Sequence, residues 1–571
     1  MEQTSAIQRY GQLSLRLLAL SLATGCVAGL GAIVFRAMIG LIHNLAFFGR
    51  LSFVYDANLH TNPSPLGAEI ILVPVAGALG VAWLVKSFAP EAKGHGVPEV
   101  IHAIYYNHGR IRPVVAIVKS RASALSIGSG GSVGREGPII QIGAAFGSTL
   151  AQWTGLPEWQ RTTLIACGAG GGIAATFNTP LGGLLFAVEL IMTEISARTL
   201  VPLVLAVVTA IVIGRLYFGD HPSFLIPPLE LQAHQDFSPE ALLAYLVLGV
   251  LLGLGSLVMI RAIYGFEDLF ERMPGNYYSR HYLGMALVGL LMYGLQVRFG
   301  HYYVQGVGYA TIQDILDGVL RDPGLLLLLL AAKLLATSLT LGSGASGGVF
   351  SPSLFLGACL GAGYAYLAQA LVPGLPLDPV ISAVIAMGGM VAGGTGAALT
   401  AMVMIMEMTR EYYAVLPLMV VAGTAYGVRR LLMQDSIYSM KLSRRDQPVP
   451  QSLHTAILFL RSIADLADTP TREAENPATG SARVHQVLRR DGAIEALWPA
   501  GVPEPVPALA LPPNTPVLDA VGFLRAAGAG AVVITAQGDP RGPALGALSL
   551  AEVSHHGHLP PAYLQRPPKG L

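Results

Sequence analysis

Charge is in short supply in this 571-residue chain: Asp, Glu, Lys and Arg together make up 12% of it, about half the ~25% of a soluble globular chain. Set against 53% hydrophobic residues, that shortage excludes an ordinary soluble domain and predicts an integral membrane protein. Cysteine is scarce too. Cys26, Cys167 and Cys359 all fall within apolar segments, which argues against a disulfide scaffold or a cysteine-based metal site. The formal net charge is +1, so no basic surplus points to nucleic acid. No motif asks for a cofactor.

Uninterrupted spans are also few. Apolar segments occur at 17–35, 68–88, 162–174, 181–215, 241–263, 281–296, 324–341, 353–371, 378–392 and 399–432, but several are too short or too glycine-broken to cross a bilayer alone. Interrupted helices survive in hydrocarbon only where protein or a watery cavity supplies backbone partners, so the breaks themselves point to an ion path. The run Leu17 to Phe35 lacks a clear cleavage site and reads as a retained helix. Arg429, Arg430, Lys441, Arg444 and Arg445 follow the last apolar stretch, which predicts a cytoplasmic C-terminus in the inner or plasma membrane. From about Gln451 the composition turns Pro-, Ala- and charge-rich. The expected organisation is an N-terminal segment with the first helix (1–66), a membrane repeat (67–220), a connecting region with a helix (221–280), a second repeat (281–445) and a soluble tail (446–571).

The repeats are read from two glycine-rich segments, Gly128-Ser-Gly-Gly-Ser-Val-Gly-Arg-Glu-Gly-Pro138 and Gly342-Ser-Gly-Ala-Ser-Gly-Gly-Val-Phe-Ser-Pro352. Numbering offsets are nearly constant: Gly94 to Gly306 is 212, Lys119 to Lys333 and Pro138 to Pro352 are 214, and Glu189 to Glu407 is 218. Internal similarity at this range means a duplicated architecture. A Gly-rich turn with Pro in the first helical turn leaves unpaired N–H groups at the positive end of a helix dipole. Two such starts, both opening onto membrane-grade sequence, suggest an anion site where broken helices meet. Oriented amides replace hydration there without a full charge that would trap the ion.

Gly134-Arg-Glu-Gly-Pro138, Gly348-Val-Phe-Ser-Pro352, Gly94-His-Gly-Val-Pro98 and Tyr438, in that arrangement across about 90–440, resemble the CLC family of chloride channels and chloride/proton antiporters. The resemblance implies a homodimer of all-α polytopic subunits, each an inverted-repeat bundle with its own pore for chloride and similar monovalent anions. It implies anion contacts from His95, Gly96, Arg135, Gly137, Val349, Phe350 and Tyr438. It also implies a gate at Glu136, which in antiporters carries the proton. Read from the residues alone, Glu136 is a carboxylate in an anion-attracting helix start, able to occupy the site as a tethered anion. Lys119 and Lys333 are read either as electrostatic support for the route or as snorkelling side chains.

Two departures from the family pattern matter. Many members carry Ser or Pro at the position of His95, where the residue is tied to chloride-against-nitrate selectivity; histidine either caps its helix or makes anion binding pH-dependent. Leu190 stands where many antiporters have a proton-relaying glutamate, which favours a passive or loosely coupled pathway. Glu189 and Glu407 are expected to be structural. The tail, with a helical pattern from Pro516 and strand-like Ala531–Thr535, resembles one CBS repeat; no partner module is legible over 451–510, so nucleotide binding is not assigned to it. The rival reading is an intramembrane serine hydrolase, because Gly344-Ala-Ser-Gly-Gly348 fits G-x-S-x-G around Ser346. The context lacks the strand, histidine and acid such an elbow needs. His555, His556 and His558 read as a solvated tail cluster and not as a metal site.

Overall fold

The computed structural model describes residues 15–192, 195–226, 238–412, 414–447, 449, 462–467, 469–473, 484–502, 504–515, 517, 520, 523–524 and 527–552. The chain divides into two compact units, a larger one of residues 1–104, 108–192 and 197–438 and a smaller one built chiefly from 439–571.

The larger unit is helical. Its first half runs α1 (Leu15–Phe48), α2 (Leu72–Phe88), α3 (Val97–Tyr106), α4 (Pro113–Gly128), α5 (Glu136–Trp153), α6 (Glu158–Phe177), α7 (Pro180–Phe186) with a π turn over Ala187–Ile191, and α8 (Ala197–Phe218). Its second half runs α9 (Pro239–Arg272), α10 (Tyr277–Phe299), α11 (Tyr309–Leu316), α12 (Pro323–Ser343), α13 (Phe350–Leu371), α14 (Pro379–Thr395), α15 (Ala398–Thr409) and α16 (Val415–Leu432). Local chemistry sets several starts. Ser238, Asp322 and Asp378 each precede a proline and accept N–H groups from the first turn, as in Ser238 Oγ from Ala241 N at 3.1 Å and Asp378 Oδ1 from Val380 N at 2.8 Å. Among the described residues, α1, Gly67–Phe88, α8, α9, α10, α12, α13 and α16 are long and apolar enough to cross a membrane; Pro180–Ile191, α14 and α15 are apolar but shorter.

The two halves correspond helix by helix. α1 and α9 are each 34 residues long. α1 packs on α4, α6 and α8, and α9 packs on α12, α14 and α16, the equivalent set. Thus the helices that the sequence left outside the repeats have the same neighbours in each half. Apolar helices without a motif carry no register signal, so this correspondence appears only in three dimensions. The α5–α6 contact depends on glycine: a Cβ on Gly143 or on Gly168 would fall 2.0 Å from the other residue's carbonyl oxygen. Small residues let membrane helices approach this closely.

Equivalent residues also meet across the halves. Gly134 and Gly348 exchange reciprocal backbone hydrogen bonds of 2.7 and 2.6 Å. The Glu407 carboxylate accepts the N–H groups of Leu181 and Gly182 at 3.0 and 2.7 Å, at the start of α7. Glu189 does the same for Leu399 and Thr400, at 3.4 and 2.9 Å, at the start of α15. Such reciprocal pairing is what a two-fold relation between halves requires.

The smaller unit has a short helix α17 (Ser439–Ser443) and a six-stranded sheet in chain order: β1 (Thr471–Glu473), β2 (His485–Arg490), β3 (Ala493–Trp498), β4 (Val506–Leu511), β5 (Ala531–Thr535) and β6 (Ala544–Ser549). β1–β2 and β4–β5 pair in parallel and the others antiparallel. Strand alternation sends Val532 and Ile534 of β5 into one core with Leu511, Leu548 and Ile463, and Ala531 and Val533 into another with Val487, Leu497 and Ala547. The sheet holds the strand expected at Ala531–Thr535 and extends over 485–511, where the sequence shows no second module. His555, His556 and His558 lie outside the described residues.

Candidate functional site at the meeting of four helix starts

The starts of α3, α5, α11 and α13 converge at the centre of the larger unit. Gly96 (φ +84°) and Gly308 (φ +81°) each turn the chain into a helix, α3 and α11, through a left-handed conformation that glycine adopts without strain. A Cβ on Gly96 would lie 2.9 Å from the Gly137 carbonyl, and one on Gly137 only 2.2 Å from the His95 carbonyl and 3.1 Å from Gly348 Cα. The three motif loops are therefore in backbone contact. Val349 and Phe350 are buried at the α13 start, with the Phe350 ring 5.4 Å from that of Phe177.

Glu136 is fully buried among them. Its Oε1 accepts the Tyr309 hydroxyl at 2.6 Å and the Ser351 hydroxyl in a shorter bond. Its Oε2 faces the Ser351 N–H, in the first turn of α13, at 3.3 Å. Burying a carboxylate is costly unless donors surround it, and hydrogen bonds to a charged group contribute about 1.5–3 kcal/mol each. Arg135 is also buried, with its guanidinium 5.2 Å from the centroid of the Tyr309 ring. It lines a cavity of about 250 Å³ together with Arg36, Asp56, Asn178, Arg215 and His221.

On another side lie His95 and Tyr438, both buried, with ring centroids 6.0 Å apart. Tyr264 of α9 fixes them. Its hydroxyl donates to the Ile437 carbonyl at 2.7 Å and lies 3.2 Å from His95 Nε2. The tyrosine has one proton and spends it on Ile437, so His95 Nε2–H is the donor of the second bond. Ile437 N also donates to the Gly394 carbonyl at 2.9 Å, which anchors the segment leading to Tyr438.

Lys119 and Lys333 do not snorkel. Both are fully buried. Lys119 Nζ donates to the carbonyls of Ala92 and Gly94 at 3.0 and 2.6 Å, and Lys333 Nζ to those of Val304 and Gly306 at 3.0 and 2.8 Å. Each lysine thus ties down the loop that leads into α3 or α11. Ser346 likewise has a structural role: its hydroxyl donates to the Ala92 carbonyl at 2.7 Å and lies 2.8 Å from Ser123 Oγ. Neither partner is a histidine or an acid, so the geometry lends the hydrolase reading no support.

Tyr309, Ser351 and Tyr264 were not legible as site residues. Ser351 is inside a quoted motif, and Tyr309 lies 212 positions after Val97, the offset of Gly94 to Gly306. A phenol where the other half carries valine was the available signal. Tyr264, on a long apolar helix, gave none.

Two matching sets of helices, with the starts of α5, α11 and α13 around one buried carboxylate and that of α3 packed against them, define a duplicated membrane transport protein. The sequence profile of the voltage gated chloride channel family matches residues 77–430, and the chain belongs to that family. It is 35% identical over 393 residues to a putative chloride channel protein, ClcB-like, of Ralstonia nicotianae, covering 66% of this chain and 85% of that one. It is 32% identical over 407 residues to the H(+)/Cl(-) exchange transporter ClcA of Vibrio parahaemolyticus, covering 68% and 84%. Among solved structures, a slow cyanobacterial Cl-/H+ antiporter matches with a TM-score of 0.64 and 25% identity over 76% of this chain and 99% of that one. A eukaryotic CLC transporter shares the fold, with a TM-score of 0.62 and 20% identity over 94% and 98%.

Proposed function

We propose that this chain carries chloride and similar monovalent anions across the inner or plasma membrane, through a path within each subunit of a homodimer whose C-terminus is cytoplasmic. Glu136 is its gate. The observation that carries this reading is the seat of the Glu136 carboxylate against the Ser351 N–H at the positive end of α13. A carboxylate held there occupies the place a free anion would take, so the path opens when Glu136 is protonated or displaced. The amides at Gly96, Arg135, Gly137, Val349 and Phe350, with the side chains of His95 and Tyr438, supply the remaining anion contacts. Lys119 and Lys333 support the route indirectly, by holding the loops before α3 and α11.

Coupling to protons is weak or absent in this reading. Glu189, beside Leu190, is engaged at the start of α15, and leucine cannot relay a proton. In liposomes with opposed chloride and proton gradients, the reversal potential is expected near the chloride Nernst value. A shift that follows the proton gradient identifies an exchanger instead. Glu136→Gln is expected to keep anion flux and lose its pH dependence, because the tethered charge is deleted while the amides remain. Retention of the wild-type pH profile removes Glu136 as the gate.

A further inference from the structure

We propose that Tyr309 is a positioning residue that latches the gate, setting the pH at which Glu136 leaves the anion site. This inference rests on the reading of Glu136 as the gate. Tyr309 opens α11, whose start is placed by Gly308 and by the loop that Lys333 holds through Val304 and Gly306. Its hydroxyl is 2.6 Å from Glu136 Oε1 and 2.9 Å from Ser351 Oγ, and it is almost wholly buried. The phenol thus faces two acceptors at once.

That arrangement is bistable. With Glu136 seated, Tyr309 donates to the carboxylate. With Glu136 gone, the same hydroxyl has Ser351 Oγ within hydrogen-bond reach, so the phenol is not stranded, and the hydroxyl and N–H of Ser351 are left as donors for an incoming anion. The ring is fixed from its other side by the Arg135 guanidinium at 5.2 Å and the edge of Phe224, with centroids 5.1 Å apart. Other charged or titratable groups bear on the same carboxylate: Arg135 beside it in sequence, Lys333 of α12 and Tyr438 within electrostatic reach, and His95 beyond Gly137. Of the titratable side chains among these, Tyr309 is the one whose hydrogen bond to Glu136 the structure records.

Removing one donor to a charged carboxylate favours its protonated, unlatched form. Tyr309→Phe is therefore expected to raise the midpoint of pH-dependent chloride flux in liposomes by about one pH unit, a tenfold change in proton concentration. Ser351→Ala, which keeps the backbone N–H, is expected to move it the same way and serves if Tyr309→Phe is not recovered as folded protein. Adding Tyr309→Phe to Glu136→Gln is expected to change nothing further in the pH profile. If Glu136→Gln abolishes the pH dependence while both single variants keep the wild-type midpoint, the latch is wrong and the gate stands. If Glu136→Gln keeps the wild-type profile, the gate reading fails first and the latch falls with it. A shift from Tyr309→Phe that persists in the Glu136→Gln background also overturns the latch, because the effect then bypasses Glu136.

Discussion

The three donors that reach Glu136 are neutral: two hydroxyls and one amide. None of these donors is therefore left as a bare charge when the carboxylate departs, unlike the surviving partner of a broken buried ion pair. His95 follows a different logic. Because Tyr264 commits the Nε2–H to itself, a neutral imidazole has no second N–H to offer an anion, whereas serine at this position always has a donor. Protonation gives His95 that donor together with a positive charge. In a Glu136→Gln background, anion affinity measured by isothermal titration is expected to rise on acidification between about pH 8 and 5. His95→Ser is expected to flatten that profile and alter the chloride-to-nitrate preference. Identical profiles and preference with His and Ser reduce His95 to a helix cap.

At the scale of elements, the motif loops were readable because glycine, proline and the helix-start carboxylate act within a few residues of one another. The long apolar helices were readable from hydropathy. The short helices α3 and α11 were not, since neither has the length to announce itself as a span, and α4 and α5 dilute their apolar residues with Lys119, Arg121, Glu136 and Gln141. The Tyr309–Glu136 bond joins residues 173 apart in sequence, and no local pattern encodes such a pairing. Helix contact makes its own demand at Gly143, where a Cβ meets backbone and no side chain can yield. Gly143→Ala is expected to cost about 1–3 kcal/mol, seen as a lowered midpoint of thermal unfolding in detergent. Gly31→Ala in α1, where nothing lies within 4 Å of the added carbon, is expected to be neutral or slightly stabilising. Equal shifts for the two variants contradict the close-contact account.

At the scale of the molecule, the two units answer to acid through different groups. In the smaller unit, partial burial of Glu552 opposes its ionisation. The close approach of buried His485 Nε2, 3.1 Å from Oε2, and hydrogen bonds from the N–H and hydroxyl of Ser549 outweigh that and hold the carboxyl down at about 2. A folded-state value below the ordinary 4.5 contributes stability that is complete above that value and is lost as pH falls toward about 2. Pepsin cleavage of the tail in the full-length protein is expected to accelerate more steeply over this window in wild type than in Glu552→Gln. Parallel curves rule out Glu552 as the acid-labile tie.

The reciprocal carboxylate caps also bear on how the chain is made. Glu407 lies 226 residues beyond the Leu181 amide it accepts, so the ribosome delivers the first half's α7 long before its partner exists. Backbone donors without partners are poorly tolerated in lipid. Until translation reaches the second half, the start of α7 has no Glu407 carboxylate to accept these two amides. The caps therefore close only once both halves have been made.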